Sequence, residues 1–354
     1  MDLDNRCSIV LEMEKIDFVV LWVDSSDPEW IKLYNQYRPE NPLSDRGRFR
    51  DWDIFRYWFR AVERYAPWVN NVFLVTNGTF PEWINKDCPK LKLVSHKDFI
   101  PEKYLPLFNS CAIELNIDKI EGLSEHFVYF NDDVFLNSPT TPEDYFRDGL
   151  PCDCNDETLF RNPWYNIVNG LSIQIQTYMD VAVVNRHFNR METIRKAKWK
   201  WFGPHLWNKS LISNLMLLRH DNFEAFELSH IEHSMLKSVL KEIWEKEPGI
   251  MEKSCTRFRN VLGLNQYVVR YWQFASNRFN PVKKRDKDSF FILSTSVIDR
   301  VCATLQKGKV RSVCLNDTPH ISDEDKLVIE GKLKKVFQEK FPNKSMFEKQ
   351  DDAK

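Results

Sequence analysis

The sequence predicts an α/β fold built on a mainly parallel sheet. Short apolar runs alternate with segments of helical spacing over residues 17–136, and this alternation is typical of a parallel sheet layered with helices. Two of the apolar runs end on acidic residues, one at Asp24 and the other at Asp132 and Asp133. Ligands of open α/β sheets bind beyond the carboxyl ends of the strands. Both acidic ends are therefore predicted to face one cleft.

The elements of this first half follow from the spacing of apolar residues. Strands are predicted where apolar runs stop at polar or turn residues, at 17–23, 72–76, 91–94, 127–130 and 134–136. A helix over 28–37 has Pro28 in its first turn. A second helix is predicted over 51–66, capped by Asp51 or Asp53, and a third over 109–120, capped by Asn109 or Ser110.

The second half is predicted to be rich in helices. Helical segments are expected at 208–218, 233–246 and 265–274, and short strands at 290–293 and 311–315. The clearest helix is 322–341, where Ser322 is the cap, acidic residues come first and lysines cluster late. No repeat or low-complexity linker marks a domain boundary.

Composition excludes several classes of protein. The chain has 354 residues, 50 Lys+Arg against 51 Asp+Glu and 14% aromatic residues, which argues for a substantial core and against a general nucleic-acid binder. The ten glycines form neither GxGxxG nor GxxxxGK[ST], so phosphate must be held by side chains, a metal or isolated backbone amides. The eight cysteines form no CxxC pair, which disfavours a structural zinc site and a disulfide framework.

Carboxylates at strand ends are the first candidates for chemistry. Asp132 and Asp133 suit Mg²⁺ or Mn²⁺, which bind through one or two carboxylates and substrate phosphates. Asn316 and Asp317 repeat the pattern after the run 311–315. A solvated turn is the alternative for such a pair. Asp24, at the end of the first strand, could contact a nucleotide or the metal.

Arginines and one histidine complete the candidate set. Arg48 and Arg50 lie in a basic run, and Arg257, Arg259 and Arg270 come later in the chain. Guanidinium groups match phosphate oxygens, although a surface ladder of ion pairs is the alternative. His230 and His233 could share a helix face, but no third zinc ligand is evident. His230 is more attractive as a single general base, and a capping or core histidine is the competing interpretation.

Taken together, these segments resemble the Stealth family. The family comprises bacterial capsule sugar-phosphate transferases and the catalytic part of the animal N-acetylglucosamine-1-phosphotransferase that tags lysosomal enzymes. Counterparts of its four conserved regions stand at residues 16–30, 48–135, 230–273 and 313–317. One departure is Ser25, where the family usually has glycine.

The resemblance implies a GT-A-like fold and a Mg²⁺- or Mn²⁺-dependent reaction. A hexose-1-phosphate, with N-acetylhexosamine-1-phosphate the natural guess, passes from a UDP-sugar to a glycan or glycolipid hydroxyl, and UMP leaves. In the implied site His230 accepts the acceptor proton, Asp51 competes for that role, and arginines stabilise the phosphoryl oxygens. The expected roles are catalysis for His230, Asp51, Arg259 and Arg48, substrate or nucleotide binding for Asp24, Asn109, Arg257 and Arg50, and metal binding for Asp132, Asp317, Asn316 and Asp133.

The resemblance also suggests how the chain is divided and where it acts. Residues 1–150 are expected to bind the nucleotide sugar, 151–230 to form an insertion, 231–345 to complete the active site with helices and a closing strand, and 346–354 to form a frayed tail. No signal peptide or membrane span is recognised. The expected place is the cytoplasm, with peripheral association at a membrane capsule-assembly complex left open.

Two other functions compete with this interpretation. A conventional UDP-sugar glycosyltransferase would use the same residues but release UDP. A non-catalytic carbohydrate-binding relative would also suit the abundant tryptophan, yet the retention of acidic, basic and histidine candidates together argues against it.

Overall fold

The computed structural model describes residues 14–38, 49–158, 172–205, 208–218, 220–283, 290–318 and 321–350. Its strands are β1 (Ile16–Leu21), β2 (Val72–Thr76), β3 (Leu91–Ser95), β4 (His126–Phe130), β5 (Val134–Leu136), β6 (Phe146–Arg147), β7 (Leu150–Asp153), β8 (Glu157–Thr158), β9 (Ala225–Phe226), β10 (His233–Leu236), β11 (Asn280–Pro281), β12 (Phe290–Ile292) and β13 (Ser312–Asn316).

The α-helices are α1 (Pro28–Tyr37), α2 (Phe55–Tyr65), α3 (His96–Phe99), α4 (Ser110–Glu114), α5 (Ser172–Asn185), α6 (Arg190–Lys196), α7 (Lys198–Phe202), α8 (Asn208–Met216), α9 (Lys237–Lys246), α10 (Pro248–Ser254), α11 (Tyr267–Ala275), α12 (Ile298–Lys307) and α13 (Asp323–Lys340). Short 3₁₀ turns span Glu102–Tyr104, Ile117–Lys119 and Pro142–Asp144. Among the helices that the structure describes, none combines the length and apolar content needed to cross a bilayer.

The central sheet has five strands in the order β10-β4-β1-β2-β3. The pairs β1–β4, β1–β2 and β2–β3 are parallel, and only β10 runs antiparallel. Every residue of β2 and β4 is buried, because helices cover both faces of such a sheet. Phe18 packs against Phe130 with ring centroids 4.9 Å apart. The predicted α/β fold with a mainly parallel sheet is confirmed.

A second, smaller sheet has the order β12-β13-β5. Strand β13 runs antiparallel to β5, with Cys314 opposite Val134. The pairing continues one residue further, because Leu315 N–H donates to the carbonyl of Asp133 at 2.8 Å. The end of β13, the last strand in the described part of the chain, therefore lies beside the turn that follows β4.

Two predicted helices begin later than their sequence patterns suggest. Helix α2 starts at Phe55 with Ile54 as its N-cap, so neither Asp51 nor Asp53 caps it. Instead, the Asp51 carboxylate accepts from Asp53 N–H at 2.7 Å in a local turn. The predicted helix 233–246 is a strand up to Leu236, because its backbone pairs with β4 at the sheet edge. The prediction that His230 and His233 share a helix face is therefore wrong.

The prediction of a frayed tail over 346–354 is wrong for residues 346–350. Phe347 is buried in the core. The Glu348 carboxylate accepts from Arg60 Nε and Nη2, both at 2.8 Å, and both side chains are buried. Burial of an aromatic ring and a paired charge orders this segment. Residues 351–354 lie outside the described residues.

Candidate active site

A cleft of about 1170 Å³ opens at the carboxyl ends of β1 and β4. Trp22 and Val23 line it where β1 ends. The predicted site residues that line the same cleft are Arg50, Asp51, Asn109, Asp132, Asp133, His230, Arg259, Asn316 and Asp317. The structure thus brings together residues that are far apart in the chain.

Two of the predicted site residues that the structure describes do not line the cleft. Asp24 does not line it and accepts from Ser26 N–H at 2.8 Å, although its charge acts on nearby Asp51. Arg257 turns away from the cleft, donates to the carbonyls of Leu105 and Pro106, and lies 4.1 Å over the Tyr37 ring. Its contacts support a loop rather than a substrate. Arg48 lies outside the described residues.

The carboxylates of the cleft crowd one another. Desolvation, then the negative charges of Asp133 and Asp51, raise the pKa of Asp132 to about 7. Desolvation also raises the pKa of Asp51, with further contributions from Asp53 and Asp24. Both side chains can be reached from solvent through the cleft mouth, yet protein surrounds them elsewhere and limits their hydration. Such a cluster favours a bound cation.

Two carboxylate oxygens of residues that line the cleft have no hydrogen-bond partner among the described residues. They are Oδ1 of Asp133 and Oδ2 of Asp317, and both are buried. The other oxygen of Asp317 accepts from Arg50 Nη1 at 2.9 Å. Unused buried carboxylate oxygens are costly unless something pairs with them, and oxygen ligands suit hard divalent cations. The donor set therefore fits a metal of the Mg²⁺ or Mn²⁺ class.

Asp133, His230 and Cys314 form a group that could hold a metal ion, with ligand atoms within 4.8 Å of one another. Cys314 Sγ donates to Asp133 Oδ2 at 3.3 Å. Burial and the Asp133 charge raise the pKa of the Cys314 thiol well above its usual value. Since the thiolate is the form that binds metals, Cys314 holds Asp133 by a hydrogen bond in this arrangement.

His230 approaches the carboxylate cluster from the segment that precedes β10. Its Nε2 lies 3.6 Å from Asp133 Oδ2. Burial lowers the pKa of His230, but the Asp133 hydrogen bond and the charges of Asp133 and Glu114 outweigh burial and raise it overall. The imidazole can therefore hold a proton next to the acidic cluster.

Arg259 is the arginine best placed to meet a substrate oxygen. It lines the cleft, and its Nη2 donates to Ser110 Oγ at 3.1 Å. Arg270 also lines the cleft, but it is committed to Asp153 at 2.6 Å and to two backbone carbonyls. The prediction that Arg270 offers a phosphate contact is therefore not supported by its geometry.

Asn109 has a structural task in this conformation. Its Oδ1 accepts from Cys111 N–H at the start of α4, and its Nδ2 donates to the Thr256 carbonyl at 3.1 Å. The predicted cap is thereby confirmed. Because both ends of the buried amide are engaged, Asn109 ties α4 to the segment that carries Arg259, and no free polar atom remains for a nucleotide.

Two functional candidates escaped sequence reasoning. Glu114 is buried at the end of α4 and accepts from Tyr129 Oη at 3.1 Å and Gln266 N–H at 3.2 Å. Burial raises its pKa, whereas Arg259 opposes this. The sequence feature that could have identified Glu114 is a carboxylate on the apolar face of a predicted helix. Cys314 carried no such signal, because a cysteine inside an apolar run is an ordinary core residue.

Comparisons with known proteins agree with the resemblance seen in the sequence. The family model described as Stealth protein CR1, conserved region 1, matches residues 14–42, and the model for Stealth protein CR2, conserved region 2, matches residues 48–152. Capsular polysaccharide phosphotransferase WcwK of Streptococcus pneumoniae is 35% identical over 95% of this chain and 100% of its own length. Exopolysaccharide phosphotransferase cps2G of Lactiplantibacillus plantarum is 37% identical over 94% of this chain and 96% of its own.

Receptor polysaccharide phosphotransferase WefC of Streptococcus oralis is 36% identical over 95% of this chain and 100% of its own. Among solved structures, galactosyltransferase LgtC overlaps 91% of this chain and 95% of its own at 11% identity, with a TM-score of 0.36. The matches to the phosphotransferases extend over nearly the whole of both chains. The chain therefore belongs to the Stealth family and is a phosphotransferase.

Proposed function

We propose that this enzyme transfers a hexose-1-phosphate from a UDP-sugar to a glycan hydroxyl, with release of UMP, during capsule or cell-surface polysaccharide synthesis. The supporting observation is the convergence, in one cleft, of unpaired carboxylate oxygens, a histidine and an arginine. Phosphoryl transfer requires charge neutralisation and positioning more than covalent chemistry. The names of the relatives support a polysaccharide acceptor. The proposed sugar is N-acetylhexosamine. The proposed place of the reaction is the cytoplasmic face of the membrane.

The proposed reaction breaks one phosphoanhydride bond and forms one phosphodiester. The acceptor oxygen attacks the sugar-bearing phosphorus, and the bridging oxygen leaves with UMP. The neutral imidazole of His230 accepts the hydroxyl proton, Asp133 stabilises the imidazolium that forms, and Arg259 stabilises the charge on the transferred phosphoryl oxygens. The bond between the sugar and its phosphate stays intact, so the anomeric configuration is retained. Asp51 is the competing base.

Asp133 and Asp317 would hold a divalent cation, with Asp132 and Asn316 beside them. When bound, such a cation would neutralise charge on the pyrophosphate. Arg50 orients Asp317 through their ion pair. Cys314 does the same for Asp133 through its hydrogen bond.

Product analysis tests this proposal. The purified enzyme would be incubated with a panel of UDP-hexoses, Mg²⁺ or Mn²⁺ and capsule oligosaccharides, with and without EDTA, and the nucleotides resolved by chromatography. EDTA-sensitive UMP is expected. Release of UDP would identify a conventional glycosyltransferase, and no nucleotide product with any donor would support a non-catalytic relative.

A pair of histidine variants tests the site itself. His230→Ala is expected to lower UMP formation by about 100-fold or more, as expected for losing a general base. His220→Ala is the matched control, because His220 is exposed and pairs only locally with Glu224. Near-normal turnover of His230→Ala would move the proton-accepting role elsewhere, with Asp51 the next residue to test.

A further inference from the structure

Exposed apolar side chains are concentrated on α7, on α8 and at Leu218, two residues after the end of α8. Trp199 on α7 is 59% exposed and Met216 on α8 is 64% exposed. Ile212, Leu215 and Leu218 are exposed as well. Ile212, Leu215 and Met216 have the i, i+3, i+4 spacing that puts side chains on one face of a helix. Single exposed apolar residues are ordinary, but a contiguous group marks an interaction surface.

The inner sides of these two helices are firmly packed. Trp201 on α7 and Leu217 after α8 are fully buried. Asn214 Nδ2 donates to the Trp201 carbonyl at 2.7 Å and joins the two helices. Buried Arg190 pairs with Glu157 and donates to the Leu217 carbonyl at 2.7 Å. The outward apolar side chains are therefore presented by a well-anchored scaffold.

The segment that carries this surface contains charged residues of one sign. Residues 193–220 contain no Asp or Glu, although the whole chain has 51 of them. Arg195, Lys196 and Lys198 are exposed beside Trp199. A tryptophan and aliphatic side chains flanked by lysine and arginine are the composition of segments that lie in the interface of an anionic bilayer.

We propose that this apolar and basic surface, formed by Arg195, Lys196, Lys198, Trp199, Ile212, Leu215, Met216 and Leu218, docks the enzyme on a membrane containing anionic lipids. The apolar side chains enter the boundary between headgroups and acyl chains, and the cations meet lipid phosphates. A second copy of this chain fits less well, because a two-fold interface would oppose these cations to themselves. The inference does not depend on which sugar or nucleotide the enzyme uses.

Vesicle co-sedimentation tests the proposal with the full chain. The unmodified enzyme is expected to bind vesicles of phosphatidylcholine mixed with phosphatidylglycerol, to bind phosphatidylcholine alone weakly, and to be released by high salt. Two variants should each lose about tenfold or more in binding. One is the triple variant Ile212→Gln, Leu215→Gln, Met216→Gln, and the other is the double variant Lys196→Glu, Lys198→Glu.

The matched control lies on α13. Leu327 is 71% exposed and Val328 is 49% exposed, but acidic residues precede them. The double variant Leu327→Gln, Val328→Gln should bind vesicles as the unmodified enzyme does. Circular dichroism and thermal unfolding would verify folding, and the charge variant alone carries the test if the triple variant unfolds.

Three outcomes would overturn the proposal. The first is no binding to anionic vesicles by the unmodified enzyme. The second is equal binding by both variants of the surface and the control. The third is a dimer in light scattering that the triple variant abolishes, because the surface would then join two copies of the chain.

Discussion

Arg257 and Arg259 stand two positions apart in the chain and have different contacts. Arg257 donates to the carbonyls of Leu105 and Pro106, outside the cleft. Arg259 lines the cleft and contacts Ser110. The sequence pattern alone does not distinguish the two arginines, since both are cations in one short segment. Their difference arises from which way the backbone turns each side chain.

This difference predicts opposite effects of two neighbouring substitutions. Arg259→Ala should lower kcat/KM by about 100-fold or more, as expected for loss of a group that stabilises transition-state charge, with little change in thermal stability. Arg257→Ala should cost about 2 kcal/mol of unfolding free energy, because two carbonyls lose a charged donor, while the folded enzyme keeps most of its activity. Steady-state kinetics and urea unfolding measure the pair. The same loss of activity in both variants would count against a specific role for Arg259.

His96 makes stability depend on pH. Burial lowers the pKa of its imidazole to about 4 from 6.5. In the unfolded chain His96 therefore binds a proton below pH 6.5, whereas in the folded chain it does not until about pH 4. The free energy of unfolding consequently decreases as the pH is lowered from 6.5 to 4. The loss attributable to His96 is about 2 kcal/mol at pH 5 relative to pH 7.5.

His96→Gln should remove this loss. Urea unfolding at pH 7.5 and pH 5 would show a smaller drop in stability for the variant than for the unmodified enzyme, whatever the absolute cost of the substitution. His220→Gln, at an exposed position, should leave the drop unchanged. Equal drops in all three proteins would mean that His96 gains a proton in the folded state.

At the scale of elements, strands and caps were predictable where local pattern determines them. The strand 72–76 and the helix 28–37 have the predicted bounds, and Ser322 caps α13 as predicted. The start of β10 was not predictable, because His233–Leu236 is extended only through pairing with β4. Glu114 and Cys314 were missed for a related reason, since their neighbours come from distant parts of the chain.

Two helix caps are expected to differ in their consequences. Asn109→Ala removes the cap of α4 and the tie to Thr256, which should cost about 2 kcal/mol and also lower kcat/KM by moving Arg259. Ser322→Ala removes only the cap of α13 and should cost about 1 kcal/mol, with kcat/KM unchanged. Unfolding curves and kinetics on the same samples measure both quantities. A fully active Asn109→Ala enzyme would show that this tie does not position Arg259.

At the scale of the whole molecule, the described end of the chain is fastened to α2. Arg60 pairs with Glu348 and donates to the Phe341 carbonyl at 2.8 Å. The sequence around Glu348 is polar and gives no sign of this contact, because Arg60 and Glu348 come together only in the folded chain.

Removing one partner of this pair should be costly. Glu348→Ala leaves the Arg60 charge buried without its counterion and should lower the free energy of unfolding by about 3–5 kcal/mol. Asp299→Ala breaks the exposed pair of Asp299 with Lys332 and should cost less than about 1 kcal/mol. Urea unfolding compares the two. Similar small effects would mean that solvent reaches Arg60 once the carboxylate is gone.

The pairing of β13 with β5 has a consequence for the nascent chain during synthesis. Asp317 follows the last residue of β13, so its carboxylate reaches the cleft only once this strand has been synthesised and paired. A nascent chain still short of this strand carries Asp132 and Asp133 but lacks Asp317, Cys314 and the antiparallel pairing that aligns them. On the ribosome, the carboxylates that follow β4 are therefore present long before Asp317, which lies with them in the cleft. A chain that stops before β13 therefore lacks a complete cleft, whichever donor the enzyme uses.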